Sequence, residues 1–221
     1  LSTVFLCLGV YGQSGQPRLP DSFMKSEKGH GHLDVPFRIV HGLIVTELRI
    51  NHGQPTPFIF DTGSSGTLID QEAARALGVK ITSRRGPNIA GIGQCTYLPS
   101  FATKKIEIDS DKTEILHGEL AAADLSGLRR LVPGLVGIIG YNLIRQHPFI
   151  FDYQRHIITI IANNNFHAPD GSNWIPLLSD KNSPIVVAKV VLQDKTLPDL
   201  KLLLDTGNDR QLIVGPAISQ Q

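Results

Sequence analysis

The sequence predicts a mainly β protein built from two related units, the second shorter than the first. Three observations carry this. Short runs of Val, Ile, Leu and Phe are bounded by Gly, Pro, Asn and Asp, the pattern of many brief strands. The tripeptide Asp-Thr-Gly occurs twice, at Asp61–Gly63 and Asp205–Gly207. The residues around the two copies also match, in the same order and at nearly the same spacing.

The repeat is explicit when the copies are laid over each other. Phe58-Ile-Phe-Asp-Thr-Gly-Ser-Ser-Gly-Thr-Leu-Ile69 stands over Leu202-Leu-Leu-Asp-Thr-Gly-Asn-Asp-Arg-Gln-Leu-Ile213, an offset of 144 residues. Upstream, Ile44–Ile50 stands over Val186–Leu192, with a loop two residues longer in the second copy. Further upstream, Val35-Pro-Phe37 stands over Ile175-Pro-Leu177. On average residue usage one Asp-Thr-Gly occurs by chance in about one chain in twenty of this length. Two in matched apolar surroundings mark a duplicated structural unit.

The elements follow in order. Ile39–Ile50 alternates loosely and reads as a strand, with a turn at His52-Gly53. Pro57–Phe60 reads as a short buried strand ending at Asp61. Asp70 is placed to cap a short helix, with Glu72 in its first turn, Ala73, Ala74 and Leu77 on one face, and Gly78 as terminator. Ile81 to Ile108 reads as two strands around a Gly-rich tip, Ala90-Gly-Ile-Gly-Gln94. Leu125–Leu131 reads as a helical turn before Pro133-Gly134. Gly137–Gly140, Pro148–Tyr153 and His156–Ile161 are further short strands or a strand–helix mixture. Asp152 and His156 read as a charged turn between two apolar strands, and Arg84-Arg85 and Arg129-Arg130 as solvated turns. Trp174, outside the residues described below, is expected to pack where the second unit begins.

Asp-Thr-Gly carries a specific chemistry. An Asp at the end of a buried strand, on a tight Gly-containing turn, receives hydrogen bonds from the neighbouring amides. Its orientation is thereby fixed. Thr62 adds a hydroxyl and a stiff β-branched body able to lock against a partner loop. Two such loops face to face bring two carboxylates together, and the pair cannot both ionise, so they share one proton. The ionised member can take a proton from a bound water while the protonated member polarises a carbonyl. That combination hydrolyses an amide without a metal or a covalent intermediate.

FIFDTGSSGTLID and GIIGYNLIRQHPFIFDY together resemble the retropepsin-like aspartic proteases. Gly137–Ile144 is similar to the strand and helix that support the Asp-Thr-Gly loop in that family, through Ile138, Ile139 and Gly140. Gly91, Ile92 and Gly93 resemble the tip of the flap that closes over substrate. Two such units behind an apolar start look like the bacterial single-chain aspartyl proteases, which often carry a PDZ domain further on. The resemblance implies an acid-protease barrel lobe per repeat, the second truncated. It implies Asp61 and Asp205 as the catalytic dyad, with Thr62 and Thr206 interlocking the loops. Gly63 and Gly207 would complete them, Ser64 would hydrogen-bond the outer oxygen of Asp61, and Asn208 stands where the family usually has Ser, Thr or Ala. The implied substrate is a peptide or protein held extended between flap and floor. Two other readings stand beside this: a homodimer pairing two copies of Asp61, and a non-catalytic peptide-binding or scaffold module.

Composition excludes other classes. Hydrophobic residues make up 41% of the 221, enough for a core. A net charge of +1 leaves no basic surplus for nucleic acid. No apolar run reaches the ~18 residues of a membrane span. Two Cys exclude a disulfide scaffold. His30 and His32 have no Cys or acidic partner at ligand spacing, so no metal and no cofactor are expected. Leu1–Gly12 resembles the apolar region of a secretory signal, with Val10 and Gly12 suited to cleavage before Gln13. An N-terminal strand is the other reading of that segment. The expectation is an exported protein, periplasmic or secreted. The segment 13–34 reads as a linker, 35–165 as the first lobe and 170–221 as the start of a second. Only 16 residues follow Asp205, which predicts an incomplete second lobe and self-association through it.

Overall fold

In the computed structural model of the chain, the described residues are 6–8, 32–86, 89–90, 97–98, 100–104, 106–110, 113–161, 175–180, 183–192 and 195–208. A short strand β1 (Leu6–Leu8) lies parallel to a strand far along the chain, with Leu6 opposite Phe149. Strands β2 (His32–Val40) and β3 (Leu43–Ile50) form a hairpin across His41-Gly42. Both turn residues have positive φ, 50° and 81°, as a two-residue I′ turn requires. The single strand expected over Ile39–Ile50 is therefore broken. His at the first turn position is an uncommon marker, and the unbroken apolar run concealed the reversal. β2 also begins inside the span read as linker, because His32 pairs with Ile161.

β4 (Thr56–Phe60) runs antiparallel to β3 and ends at Asp61. β5 (Leu68–Asp70) follows and leads into α1 (Gln71–Ala76). Asp70 caps α1, accepting from the amides of Glu72 at 3.1 Å and Ala73 at 2.9 Å. Gly78, at φ +71°, ends the segment. Ala74 is buried as expected, but Leu77 is 43% exposed, because the chain has already turned off the helix. Asp70 also accepts from the amide of Leu125 at 2.9 Å.

β6 (Ile81–Arg85), β7 (Ile89–Ala90), β8 (Tyr97–Leu98) and β9 (Phe101–Thr103) make the two arms of the expected hairpin. Ile89 stands opposite Leu98, and Ile81 opposite Thr103. β10 (Ile106–Ser110) and β11 (Thr113–Gly118) pair with each other, and β10 also pairs with the end of β3. β12 (Ala121–Ala123) precedes α2 (Ser126–Leu131). Arg129 on α2 pairs with Asp70 and Glu72, so it is a link between α1 and α2 rather than a solvated turn residue.

β13 (Gly137–Ile139) is the central strand. It is inserted between β4, to which it is parallel, and β5, to which it is antiparallel. α3 (Tyr141–Ile144) follows, then β14 (Phe149–Asp152) and β15 (Ile157–Ile161). Between these two strands Asp152 accepts from the amides of Gln154 at 3.0 Å and Arg155 at 2.9 Å, a side-chain-capped turn.

Strand periodicity divides the apolar residues between two clusters. Phe58, Phe60 and Ile139 join Phe149, Phe151, Ile44 and Tyr141 on one side. Ile59 and Ile138 join Val45, Leu68, Leu128 and Leu135 on the other. The strands that carry the Asp61 loop are thus covered on both faces, which is why they read as unbroken apolar runs.

The second unit is a three-stranded antiparallel sheet of β16 (Leu178–Asp180), β17 (Ser183–Leu192) and β18 (Lys195–Leu203). Asp180 pairs with Ser183 as Val40 pairs with Leu43, an offset of 140 residues. Ile185 pairs with Leu203 as Val45 pairs with Ile59. The strand laid over Val186–Leu192 is therefore displaced by two residues from its true counterpart. A two-residue slip keeps every side chain on its own face, so alternation cannot detect it. The four extra residues of the second copy lie between Ile185 and Leu203, where the ladder also has a bulge between Ala188 and Val190.

Gly137 marks how tightly β13 is held. A Cβ there collides with the Leu68 carbonyl oxygen and comes within 2.8 Å of the Phe58 ring. A Cβ at Gly66 meets nothing within 4 Å. Gly137→Ala should therefore lower Tm by roughly 4–10 °C, while Gly66→Ala leaves it nearly unchanged. Thermal melts of the two variants beside the parent check this.

Candidate active site

Asp61 is set by the strands before and beside it. Phe60, immediately before it, is fixed between Phe149 and Phe151, with ring centroids at 5.4 and 5.7 Å. The Asp61 amide donates to the Ile139 carbonyl at 2.9 Å, which extends the β4–β13 ladder by one residue. The chain then turns. The amides of Gly63 and Ser64 donate to Asp61 Oδ1 at 2.8 and 3.1 Å. Asp205 leaves β18 in the same way, with the Gly207 amide donating to Asp205 Oδ1 at 2.8 Å. The backbone turn is also repeated: Ser64 N donates to Asp61 O at 3.3 Å, and Asn208 N to Asp205 O at 3.4 Å.

The two loops meet through their threonines. The Thr62 amide donates to Thr206 Oγ1 at 3.0 Å, and the Thr206 amide to Thr62 Oγ1 at 2.9 Å. Each hydroxyl then donates beyond its partner, Thr62 Oγ1 to the Leu204 carbonyl at 2.6 Å and Thr206 Oγ1 to the Phe60 carbonyl at 2.9 Å. Both threonines are buried. Every hydroxyl is at once acceptor and donor, so neither amide nor carbonyl at this junction is left bare.

The glycines set the approach of the carboxylates. A Cβ on Gly63 would overlap the Asp205 carboxylate, and a Cβ on Gly207 would overlap that of Asp61. Only glycine lets each loop pass this close to the opposite acid. The electrostatic result is that the Asp61 carboxyl is pushed up to about 7. Burial is the largest cause, followed by the charge of Asp205 and a hydrogen bond between the two side chains. The amides of Ser64 and Gly63 act in the opposite sense. Asp61 thus keeps its proton across the acidic range.

Behind Asp61 the loop is strapped to β13 and α3. Tyr141 N donates to the Ser64 carbonyl at 2.7 Å. Gly140 N donates to Thr67 Oγ1 at 3.1 Å, and Thr67 Oγ1 donates to Asn142 Oδ1 at 2.9 Å. A Cβ at Gly140 would overlap the Gly66 carbonyl. Ile138 and Ile139 are buried on opposite sides of the strand. Thr67 and Asn142 escape a reading of the sequence, because each falls beside a Gly-containing motif and looks like ordinary turn chemistry. Their signal is that both flank motifs brought together by β13.

One implied contact is different. The Ser64 hydroxyl donates to the Gly66 carbonyl at 2.8 Å, and Ser64 reaches Asp61 through its amide instead. The tight turn over residues 64–66 captures the hydroxyl locally, as serine side chains in turns do. Gly91, Ile92 and Gly93, read as the flap tip, lie outside the described residues; the paired arms β7 and β8 lead towards them. No helix among the described residues is long and apolar enough to cross a membrane.

Residues 46–141 match the family profile described as "Aspartyl protease", a span that holds Asp61, Gly137–Gly140 and the hairpin between them. No curated protein matches the chain. Among solved structures, the EIAV protease complexed with the inhibitor HBY-793 aligns at 20% identity, over 46% of this chain and 85% of that one, with a TM-score of 0.36. A retropepsin-like aspartic protease from Rickettsia conorii aligns at 14% identity, over 59% of this chain and 90% of that one, with a TM-score of 0.38. Over residues 46–141 the chain is therefore similar to the aspartyl protease family.

Proposed function

We propose that the chain is an aspartic endopeptidase whose dyad is Asp61 and Asp205, contributed by one polypeptide. The observation that carries this is the reciprocal close approach of Gly63 to Asp205 and Gly207 to Asp61. The interlock of Thr62 with Thr206 supports the single-chain reading over a pairing of two Asp61 loops, because the partner place beside Asp61 is filled by residue 205 of the same chain.

The reaction follows from one shared proton. The ionised carboxylate takes a proton from water as its oxygen attacks the peptide carbonyl carbon. The protonated carboxyl gives its proton to the carbonyl oxygen, forming a neutral tetrahedral diol. Collapse of the diol breaks the C–N bond, returns one proton to the dyad and delivers another to the departing nitrogen. The products are a carboxylic acid and an amine, and the dyad again holds one proton. The amides of Gly63, Ser64 and Gly207 hold the two carboxylates in place throughout, so orientation is supplied before substrate arrives.

Asp61→Asn keeps the size and the loop turn but removes the proton that the dyad must exchange. Cleavage of a mixed peptide library should fall by about 10³-fold or more, and pepstatin should inhibit the parent. Full activity in a variant shown folded by circular dichroism would overturn the dyad.

The raised Asp61 carboxyl also makes a stability statement. Between its ordinary value and about 7 the folded protein keeps a proton that the unfolded chain has lost. Stability therefore falls as pH rises through this window, and is highest below it. Asp61→Asn should flatten that fall and be the more stable protein at pH 8, as read from denaturant melts at pH 4 to 8. Because Ser64 serves Asp61 through its amide, Ser64→Ala should leave the alkaline limb of the pH–rate profile unmoved. Movement of that limb would restore a role for the hydroxyl.

A further inference from the structure

At the far end of β4 from Asp61, three side chains with metal-binding chemistry converge. Residues Ile50–Gly53 form a turn closed by Gly53 N donating to Ile50 O at 2.9 Å. Asn51 and His52 occupy its centre, at φ 49° and 58°. Glu107 and Asp109 come from β10, which crosses beside the turn. Asn51 stitches the two together: its amide donates to the Glu107 carbonyl and its side-chain oxygen accepts from the Glu107 amide, both at 2.9 Å.

His52 Nε2 lies 3.3 Å from Glu107 Oε1, and His52 Nδ1 lies 3.2 Å from Asp109 Oδ2. One ligand atom from each of the three residues lies within 4.8 Å of the others. Around a tetrahedral ion with bonds of about 2.0–2.2 Å, neighbouring donor atoms stand about 3.3–3.5 Å apart. An ion takes one imidazole nitrogen, so one of the two observed separations is an edge of that size, and the third residue's ligand atom lies within 4.8 Å.

The second observation concerns Asp109 alone. Its side chain is 1% exposed. Oδ2 accepts from the His52 backbone amide at 3.2 Å, but Oδ1 is buried with no hydrogen-bond partner. Buried carboxylate oxygens are not left bare without a cause. A protonated imidazole between Glu107 and Asp109 explains Oδ2 and not Oδ1. A cation held by the Asp109 carboxylate through both oxygens satisfies the two together.

We propose that His52, Glu107 and Asp109 form a binding site for a divalent transition-metal cation of the Zn²⁺ type. One imidazole nitrogen with two carboxylates suits such an ion better than the all-oxygen shells of Ca²⁺ or Mg²⁺. His52 is 65% exposed, so its ring is free of packing that would stop it presenting one nitrogen to the ion. Asp109 and Glu107 are held by β10, and with both Asp109 oxygens the three side chains supply four donors. The ion would clamp the turn before β4 to β10, and its place does not depend on the dyad.

The test is calorimetric titration of the EDTA-treated full chain with ZnCl₂, alongside thermal melts with and without the metal. The expected result is one equivalent bound, with a rise in Tm. His52→Ala and Glu107→Gln should each weaken Kd by about tenfold or more, and His32→Ala should leave it unchanged. Asp109→Asn should abolish the metal-dependent rise in Tm. Absence of binding overturns the proposal, and so does equal Kd in the His52→Ala and Glu107→Gln variants, which remain folded by circular dichroism. Tighter binding of Ca²⁺ than of Zn²⁺ overturns the assigned class. Stabilisation on acidification alone, with no effect of metal, would replace the ion by a protonated His52. All these readouts are independent of peptidase activity, so they stand or fall apart from the protease reading.

Discussion

Two threonines 144 residues apart exchange their amide and hydroxyl hydrogen bonds, and the approach of Asp61 to Asp205 depends on that exchange. Thr62 and Thr206 are buried, each hydroxyl donating a hydrogen bond to a carbonyl of the opposite segment. Each bond contributes on the order of 1 kcal/mol, but breaking one strands a buried donor or acceptor, which costs more. The arrangement is therefore cooperative. It fixes the separation of the two loops, and the glycines beside them then decide how closely the acids approach. Burial and mutual repulsion at that separation raise the Asp61 carboxyl. Chemistry, charge and packing at this site thus have one geometric origin.

What the sequence discloses follows from how local each interaction is. Asp61, Thr62 and Gly63 are legible because the turn, the amide donors and the acid lie within four residues of each other. The duplicated context makes the second copy legible too. The β-rich character, the Asp70 cap and the Asp152 turn are local in the same sense. The hairpin at His41-Gly42 was hidden because neither residue pair nor composition announces a reversal within an apolar run. The two-residue displacement in the second unit was hidden because a pleated strand has period two. The resemblance implies that the Ser64 hydroxyl serves Asp61, whereas the local turn claims it first.

Contacts made only by the fold are a different matter. Thr67 meets Asn142 across 75 residues, and Glu107 accepts no signal in the sequence from His52, 55 residues earlier. Nothing in spacing or periodicity relates such pairs. They come together because β13 enters between β4 and β5, and because β10 crosses the end of β3. The strand pairing, rather than the motif, creates these groupings. The same pairing gives Arg129 its carboxylate partners on Asp70 and Glu72.

The position of β13 also has a temporal side. β4 and β5 are separated by a short loop, yet they are joined through a strand that begins at Gly137, so Phe58 waits 79 residues for its neighbour. Contacts of such long range close slowly, since a large loop must be ordered before the ladder rewards it. During synthesis β4 and β5 cannot make their pairs with β13 until Gly137–Ile139 has left the ribosome. The meeting of the two acids is later still, because Asp205 lies 144 residues after Asp61. The juxtaposition of Asp61 with Asp205 is consequently a late event in the life of the nascent chain, set by the order of synthesis.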